Sequence, residues 1–253
     1  MGQAKHFTDN YQIDTAPHVG LLSSHAHAEN WAGSQIKGSG VARTETRAVG
    51  DFHKITLGVG ARLEIRQGPS EGLSITGDDN IVPLIETVVD NGTLKIRWAD
   101  RVHGSTSYKS LNIVVNVTNV DSLNLSGSGE MHAAQLKAGD LRATISGSGE
   151  IAIDTLEANS LNISLAGSGT LTAAGHVNTL DATISGSGEL AAAKLESRNA
   201  RVTLQGSGDA AVWATETLNA TIAGSGEVTY HGKPKVTRTI AGSGNVSRAG
   251  DAS

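Results

Sequence analysis

Residues 123–130 read LNLSGSGE, and the Gly-Ser-Gly motif in this stretch returns six more times before the chain ends. These seven regularly spaced copies lie 18 to 20 residues apart and begin at Gly127, Gly147, Gly167, Gly186, Gly206, Gly224 and Gly242. A fixed period of this length is the signature of a repeat architecture, in which each repeat buries its apolar face against its neighbours.

Apolar and small polar residues alternate in front of the motif. The positions four and two residues before the first glycine are aliphatic in six copies: Leu123 and Leu125, Ala143 and Ile145, Ile163 and Leu165, Ala182 and Ile184, Val202 and Leu204, Ala220 and Ile222. The residue between each pair is small and polar: Asn124, Thr144, Ser164, Thr183, Thr203, Thr221. Alternation with a period of two predicts a β-strand with one buried and one solvent-facing side.

Further apolar positions follow the motif and complete each repeat. A second inward column is predicted at Met131, Ile151, Leu171, Leu190, Ala210, Val228 and Val246, and a third at Leu136, Leu156 and Leu195. Three inward columns in about 20 residues predict three short strands per turn, each paired with its equivalent one turn away at about 4.8 Å. Gly-Ser-Gly is the corner between two strands, where a positive φ favours glycine. The sequence therefore predicts an all-β fold, a right-handed single-stranded parallel β-helix.

Residues 38–253 are predicted to form this β-helix domain. Regular Gly-Ser-Gly turns occupy 123–250, and irregular turns occupy 38–122, where Ile55 and Leu57, Leu63 and Ile65, and Leu73 and Ile75 indicate three or four degenerate turns. Asp90-Asn91-Gly92 predicts a β-hairpin near residues 86–98. Residues 1–37 have no solenoid pattern but hold Phe7, Tyr11 and Trp31, so they are predicted to be an extension that caps the stack or docks on a neighbouring subunit.

Composition excludes several classes of function. The net charge is −5 with scattered Lys and Arg, so no basic stripe is available for nucleic acid. The chain has no cysteine, which removes disulfides and thiol chemistry. No apolar run has the length of a membrane span, and none near the start has the pattern of a signal peptide. No catalytic residue and no cofactor site are predicted.

An acidic column is predicted directly after the corner. Five of the seven residues that follow Gly-Ser-Gly are acidic, namely Glu130, Glu150, Glu189, Asp209 and Glu227. Carboxylates stacked about 4.8 Å apart repel one another unless they are screened or bridged by a cation. Two interpretations remain open, a weak Ca²⁺ ladder and a solvated edge that discourages aggregation.

Two other polar features are candidate sites. His25 and His27 form the only close histidine cluster, with Glu29 beyond them, and because no third ligand is evident they are interpreted as an ordinary polar segment. At the other end of the chain, Arg238 and Arg248 replace aliphatic residues of earlier turns, with Lys233 and Lys235 nearby. They predict a charged cap on the open strand edge, and an anion or partner site is the alternative.

The run LNLSGSGE at 123–130, with its echoes ISGSGE at 145–150 and 184–189, resembles the head GIN domain family, described as auto-transporter adhesins. Phe52 to Gly68 looks like the opening strand pair of that family, and Asp79 to Ile96 resembles its helical turn and hairpin, so the resemblance covers about 200 residues. It implies an exported bacterial β-helix, periplasmic or at the cell surface, and it supplies no catalytic residues. The lack of a recognisable export signal departs from that expectation.

Two classes of function follow from these features. The first is a non-enzymatic adhesin or interaction protein, whose repeated Ser, Thr and Asn side chains face glycans, cell-surface proteins or further copies of the same chain, with self-assembly through the stack ends or the N-terminal extension. The second is a polysaccharide-acting enzyme on a β-helix scaffold, for which the loop at Asp100 to Ser107 offers a place. Because the acidic column repeats one environment, it does not provide the two unlike carboxyl groups that glycoside hydrolysis needs. The first class is therefore preferred.

Overall fold

The structure is a computed structural model that describes residues 35–102 and 106–250. The predicted extension at 1–37 and the His25, His27 and Glu29 cluster lie outside the described residues, except for residues 35–37. The described part contains no α-helix and one short 3₁₀-helix, Val82–Leu84.

The first half of the described chain holds nine strands: β1 (Ile36–Lys37), β2 (Ala42–Arg47), β3 (Lys54–Leu57), β4 (Arg62–Gln67), β5 (Gly72–Asp78), β6 (Ile85–Asp90), β7 (Thr93–Trp98), β8 (Thr106–Ser107) and β9 (Asn112–Val117). The repeat region adds ten: β10 (Ser122–Gly127), β11 (Glu130–Ala133), β12 (Leu136–Gly147), β13 (Glu150–Gly167), β14 (Thr170–Gly186), β15 (Glu189–Gly206), β16 (Asp209–Gly224), β17 (Glu227–His231), β18 (Lys235–Gly242) and β19 (Asn245–Gly250).

The repeat region is a parallel β-solenoid, which confirms the predicted fold class. The curled sheet makes about six turns of roughly 20 residues each. Equivalent residues of successive turns pair in parallel register, as Leu123 does with Ala143 and Ala143 with Ile163. We name the sheet that leads into the Gly-Ser-Gly corner the first face, the sheet that follows the corner the second face, and the sheet that begins at Leu136 the third face.

The interior of the solenoid is built from stacked aliphatic side chains. The predicted inward residues are buried in each regular turn, among them Leu125, Ile145, Leu165, Ile184 and Leu204 at 1% exposure or less. Burying a side chain of this kind contributes about 1.5–3 kcal/mol relative to leaving it in water. Since Leu, Ile, Val and Ala fill the interior of the regular turns, these turns stack closely without an aromatic core.

The corner glycines are in contact from turn to turn. Gly167 has φ +117°, and a Cβ added there would lie 2.5 Å from the carbonyl oxygen of Gly147. The backbone N–H of Ser168 donates to the same oxygen at 2.9 Å. The corner therefore combines a left-handed backbone conformation with a backbone approach that leaves no room for a side chain, which explains the strict repetition of glycine.

In the N-terminal part of the stack, the spatial order of the strands differs from their order in the chain. Strands β3 and β4 lie between the first regular turn and the pair β7 and β9, although β7 and β9 come later in the chain. Leu73 and Ile75 lie on β5, which runs antiparallel to β9 and to β2 and does not continue the spiral. Alternation identifies which residues face inward, but it is the same for parallel and antiparallel strands, so it did not reveal this reversal.

The hairpin between β6 and β7 closes this end of the first face. Asn91 and Gly92 form its two-residue loop with φ +49° and +71°, and Asp90 pairs with Thr93. Positive φ at both loop residues is typical of the type I′ turn, which matches the twist of the strands it joins.

Candidate functional site

The first face carries an unbroken column of small polar side chains. Paired residues of successive turns place Thr56, Asn124, Thr144, Ser164, Thr183, Thr203, Thr221 and Thr239 in one row, which we name the hydroxyl column. Neighbouring members are about 4.8 Å apart, because they lie on adjacent strands. The column therefore offers one hydroxyl or amide group per turn at a constant spacing.

A shallow depression of about 370 Å³ lies on this face beside the hydroxyl column. Its lining includes Arg142, Asn162, Ser164, Asp181 and Thr183, which come from three successive turns. Arg201 of the next turn approaches Asp181 with Nε to Oδ2 at 3.8 Å. The depression thus presents a guanidinium, a carboxylate, an amide and two hydroxyls, a set of donors and acceptors suited to a ligand rich in hydroxyl groups.

The acidic column is in register along the second face. Glu130 pairs with Glu150, Glu189 with Asp209, and Asp209 with Glu227, whereas Thr170 separates Glu150 from Glu189. Within residues 35–102 and 106–250, no group of three or more His, Asp or Glu side chains is arranged to hold a metal ion. The Ca²⁺ ladder remains a prediction, as does the solvated edge.

The two ends of the acidic column are paired with other groups. Arg62 extends the column on the N-terminal side and places its Nε 2.9 Å from Glu130 Oε2. At the other end, Glu227 Oε1 accepts hydrogen bonds from Asn245 Nδ2 at 3.3 Å and Ser247 Oγ at 3.1 Å. These contacts compensate part of the repulsion between the stacked carboxylates.

Ion pairs and hydrogen bonds also lower three carboxyl pKa values on the outside of the solenoid. A hydrogen bond from Lys137 lowers the pKa of Glu157, and hydrogen bonds from Ser160 and then Asn159 lower that of Asp140. On β4, Arg66 lowers the pKa of Glu64 in the same way. The contacts of Glu157 and Asp140 connect adjacent turns, whereas that of Glu64 lies within β4. Since all of these groups lie at the surface, each contact stabilises the fold only weakly.

A cleft of about 450 Å³ opens where the corner ridge meets the segment between β8 and β9, and sequence reasoning missed it. Tyr108, Lys109, Asn112, Arg62 and Ser128 line it together with Glu130. The predicted loop at Asp100 to Ser107 lies just before this segment, and its residues 103–105 are outside the described part. No periodicity marks Tyr108 and Lys109, because they interrupt the repeat.

The C-terminal end of the stack bears the predicted basic residues. Arg238 pairs in register with Ala220 and is exposed, while Arg248 pairs with Tyr230 and donates from Nε to the carbonyl oxygen of Gly232 at 2.8 Å. Ile240 on the last strand of the first face is 39% exposed. Self-assembly through this end stays a prediction. In the part of the chain that the structure describes, no helix is long and apolar enough to cross a membrane.

Comparison with known proteins agrees with this architecture. The sequence profile of the family described as "Putative auto-transporter adhesin, head GIN domain" matches residues 51–234. No curated protein matches the chain.

Solved structures from Bacteroides and Parabacteroides share the fold. A "putative adhesin" from Bacteroides fragilis is 26% identical with a TM-score of 0.80, and the match covers 84% of this chain and 99% of that one. A "Putative lipid binding protein" from Parabacteroides distasonis is 28% identical with a TM-score of 0.74, over 85% of this chain and 100% of the other. A "putative adhesin" from Parabacteroides merdae is similar in fold, with 22% identity and a TM-score of 0.67, and the match covers 85% of this chain and 99% of that one.

Proposed function

Because the chain belongs to the head GIN domain family, we propose that it is a non-catalytic adhesin of the bacterial surface or periplasm, and that its first face binds glycan chains. The observation that carries the proposal is the hydroxyl column, which repeats one polar group per turn in continuous register. A ligand that is itself a repeat of similar units meets an equivalent group at each step.

Repetition favours a long ligand over a small molecule. One hydroxyl or amide contact contributes little, about 0.5–1.5 kcal/mol net, because the same groups bind water in the free protein. Several contacts along one chain add to a useful affinity, since each contact after the first is intramolecular. The depression at Arg142, Asn162 and Asp181 supplies charged and amide groups within this face.

Protein partners are the other ligand class that a surface adhesin meets. Partner interfaces in proteins are distinguished by apolar and aromatic residues in their buried centre. The hydroxyl column has Thr, Ser and Asn where such an interface would need apolar and aromatic residues. A ligand covered in hydroxyl groups matches the column better than a protein surface does. Glycans are therefore the ligand class that this face fits best.

Binding to immobilised glycans tests the proposal. Replacing Thr183, Thr203 and Thr221 with Val keeps the β-branched shape while it removes three adjacent hydroxyls. We expect this variant to lose most glycan binding. Thr172→Val with Thr229→Val, on the second face, is the matched control and should bind as the parent does.

The competing classes of function give different results in the same experiment. Release of reducing sugar from a bound polysaccharide would establish catalysis and overturn the proposal. Phospholipid vesicles are included because one similar structure is named as lipid-binding. Vesicle binding without glycan binding would also overturn it.

A further inference from the structure

The cleft at the end of the corner ridge differs from the rest of the surface because one of its walls, Tyr108 to Asn112, lies outside the repeat. The corner serines Ser148, Ser168 and Ser187 are exposed and follow one another along the ridge, joined through hydrogen bonds to the glycine of the preceding turn. Ser128 is the last of this row, because residues 58–61 form the next corner and the segment Tyr108 to Asn112 lies beyond them. A repeating surface cannot fix the position of a repeating ligand, whereas a unique cleft at its end can.

Tyr108 gives the cleft a fixed aromatic wall. Its hydroxyl donates to the carbonyl oxygen of Gly60 at 2.9 Å, and its ring packs at a tilt of 57° against Trp98 with the centroids 5.8 Å apart. Partial burial raises the pKa of Tyr108. Gly60 leaves the room for this contact, because a Cβ there would lie 3.2 Å from the Tyr108 hydroxyl oxygen.

Positive charge gathers at the same place. The Arg62 side chain is 70% exposed and is bound through Nε to Glu130, which leaves most of the guanidinium facing solvent. Lys109 is exposed and forms no ion pair within the described residues. Two cations against one carboxylate make this cleft net positive, in a chain whose net charge is −5.

We propose that this cleft binds a carboxylated sugar unit of a glycan chain. The carboxylate would be held by Lys109 and the free edge of the Arg62 guanidinium, since cations form the strongest hydrogen bonds with carboxylates. The apolar side of the sugar ring would lie on Tyr108, an aromatic with a polar tip. Asn112 and Ser128 supply groups for the sugar hydroxyls. This inference rests on the proposed glycan binding and names the sugar chemistry that sets the ligand's position.

Calorimetric titration of the full chain with hyaluronan oligosaccharides, which carry glucuronic acid, and with uncharged maltohexaose tests the inference. We expect Lys109→Ala to weaken hyaluronan binding about tenfold or more, as for a lost charge-assisted hydrogen bond. Tyr108→Ala should weaken it as well, while Tyr108→Phe, which keeps the ring, should have the smaller effect. Lys194→Ala removes an exposed lysine outside the cleft and should change nothing.

Each contrary result has a defined meaning. Equal losses of hyaluronan affinity in Lys109→Ala and Lys194→Ala, or no loss in either, would show that the cleft is not the binding site. Tight binding of polyglutamate at the same residues would overturn it in favour of a general anion site.

Failure of the cleft is distinguishable from failure of the proposed function. If maltohexaose binds and responds to the Thr→Val substitutions while hyaluronan binding ignores Lys109, the first face stands and the cleft does not. If neither oligosaccharide binds, titration with free glucuronic acid tests the cleft alone. No heat in that titration overturns this inference too.

Discussion

Substituting alanine for single glycines separates the two reasons for glycine at the corner. Gly167 has both a positive φ and a close contact with the turn before it. Gly127 has φ +92° with nothing within 4 Å of an added Cβ. A Cβ on Gly169 would lie 2.6 Å from Ile145 Cγ2, but its φ is ordinary. Gly139 has neither constraint.

The magnitudes follow from these geometries. A side chain in a sparsely populated backbone conformation costs about 1–3 kcal/mol, and forcing an extra carbon into a packed site costs about 1–3 kcal/mol. The free energy of unfolding should fall by one of these amounts in Gly127→Ala and in Gly169→Ala. In Gly167→Ala it should fall by both together, about 2–6 kcal/mol. Gly139→Ala should be neutral or stabilising by up to about 1 kcal/mol, because alanine restricts the unfolded chain.

Urea denaturation followed by circular dichroism measures the free energy of unfolding of the four variants. Thermal unfolding gives a second measure, in which the midpoint shifts by about 2–4 °C per kcal/mol for a chain of this length. If Gly167→Ala were as stable as Gly139→Ala, the close stacking of corner on corner would be refuted. If Gly127→Ala were the least stable of the four, backbone strain alone would explain the repeat of glycine.

Three further outcomes are expected. Ser160→Ala should raise the pKa of Asp140 towards the ordinary aspartate value, and nuclear magnetic resonance titration of the carboxyl group checks the shift. Because the pKa is depressed in the folded protein, the stabilisation that this hydrogen bond gives is present above about pH 4 and is lost below it. Gln67→Leu should lower the free energy of unfolding by about 1–3 kcal/mol and speed amide hydrogen exchange on the third face, because the Gln67 side chain forms hydrogen bonds with backbone groups of two segments there. Unchanged exchange would contradict this. Calorimetry with millimolar Ca²⁺ should give no saturable heat if the acidic column is a solvated edge, whereas heat that Glu189→Gln removes would establish the ladder.

The regular turns could be predicted from the sequence because their determinants are local. Leu123 and Leu125 alternate with polar residues within one strand, and the 18 to 20 residue spacing of the corners gives the length of a turn. These two observations are sufficient to place equivalent residues of adjacent turns beside one another, and the register of the acidic and hydroxyl columns follows directly.

The irregular turns could not be predicted because their neighbours are distant in the chain. Nothing within residues 54–67 indicates that β9, some 50 residues later, pairs with β4. Gln67 is a comparable case: its amide bonds both the N–H and the C=O of Lys137, so a side chain takes the place of a paired strand at the edge of the third face. A polar residue at a strand end carries no sequence mark of such a role.

The cleft at Tyr108 was missed for a related reason. A sequence repeat identifies positions that recur from turn to turn, such as Glu130 and its equivalents. Specific recognition needs residues that occur once, and Tyr108 and Lys109 lie in a segment whose position against Gly60 is set by tertiary contacts. The periodic and the unique parts of the surface therefore had to be identified by different means.

The dependence of affinity on ligand length tests the account most directly. Hyaluronan oligosaccharides of increasing length, titrated into the protein at constant ionic strength, should bind more tightly with each added unit, until the ligand spans the hydroxyl column from Asn124 to Thr239, six steps of about 4.8 Å or roughly 29 Å. The Thr183, Thr203 and Thr221 to Val variant should lose that gain while it still binds the shortest fragment. An affinity that does not change with length, or no binding at any length, would contradict the account.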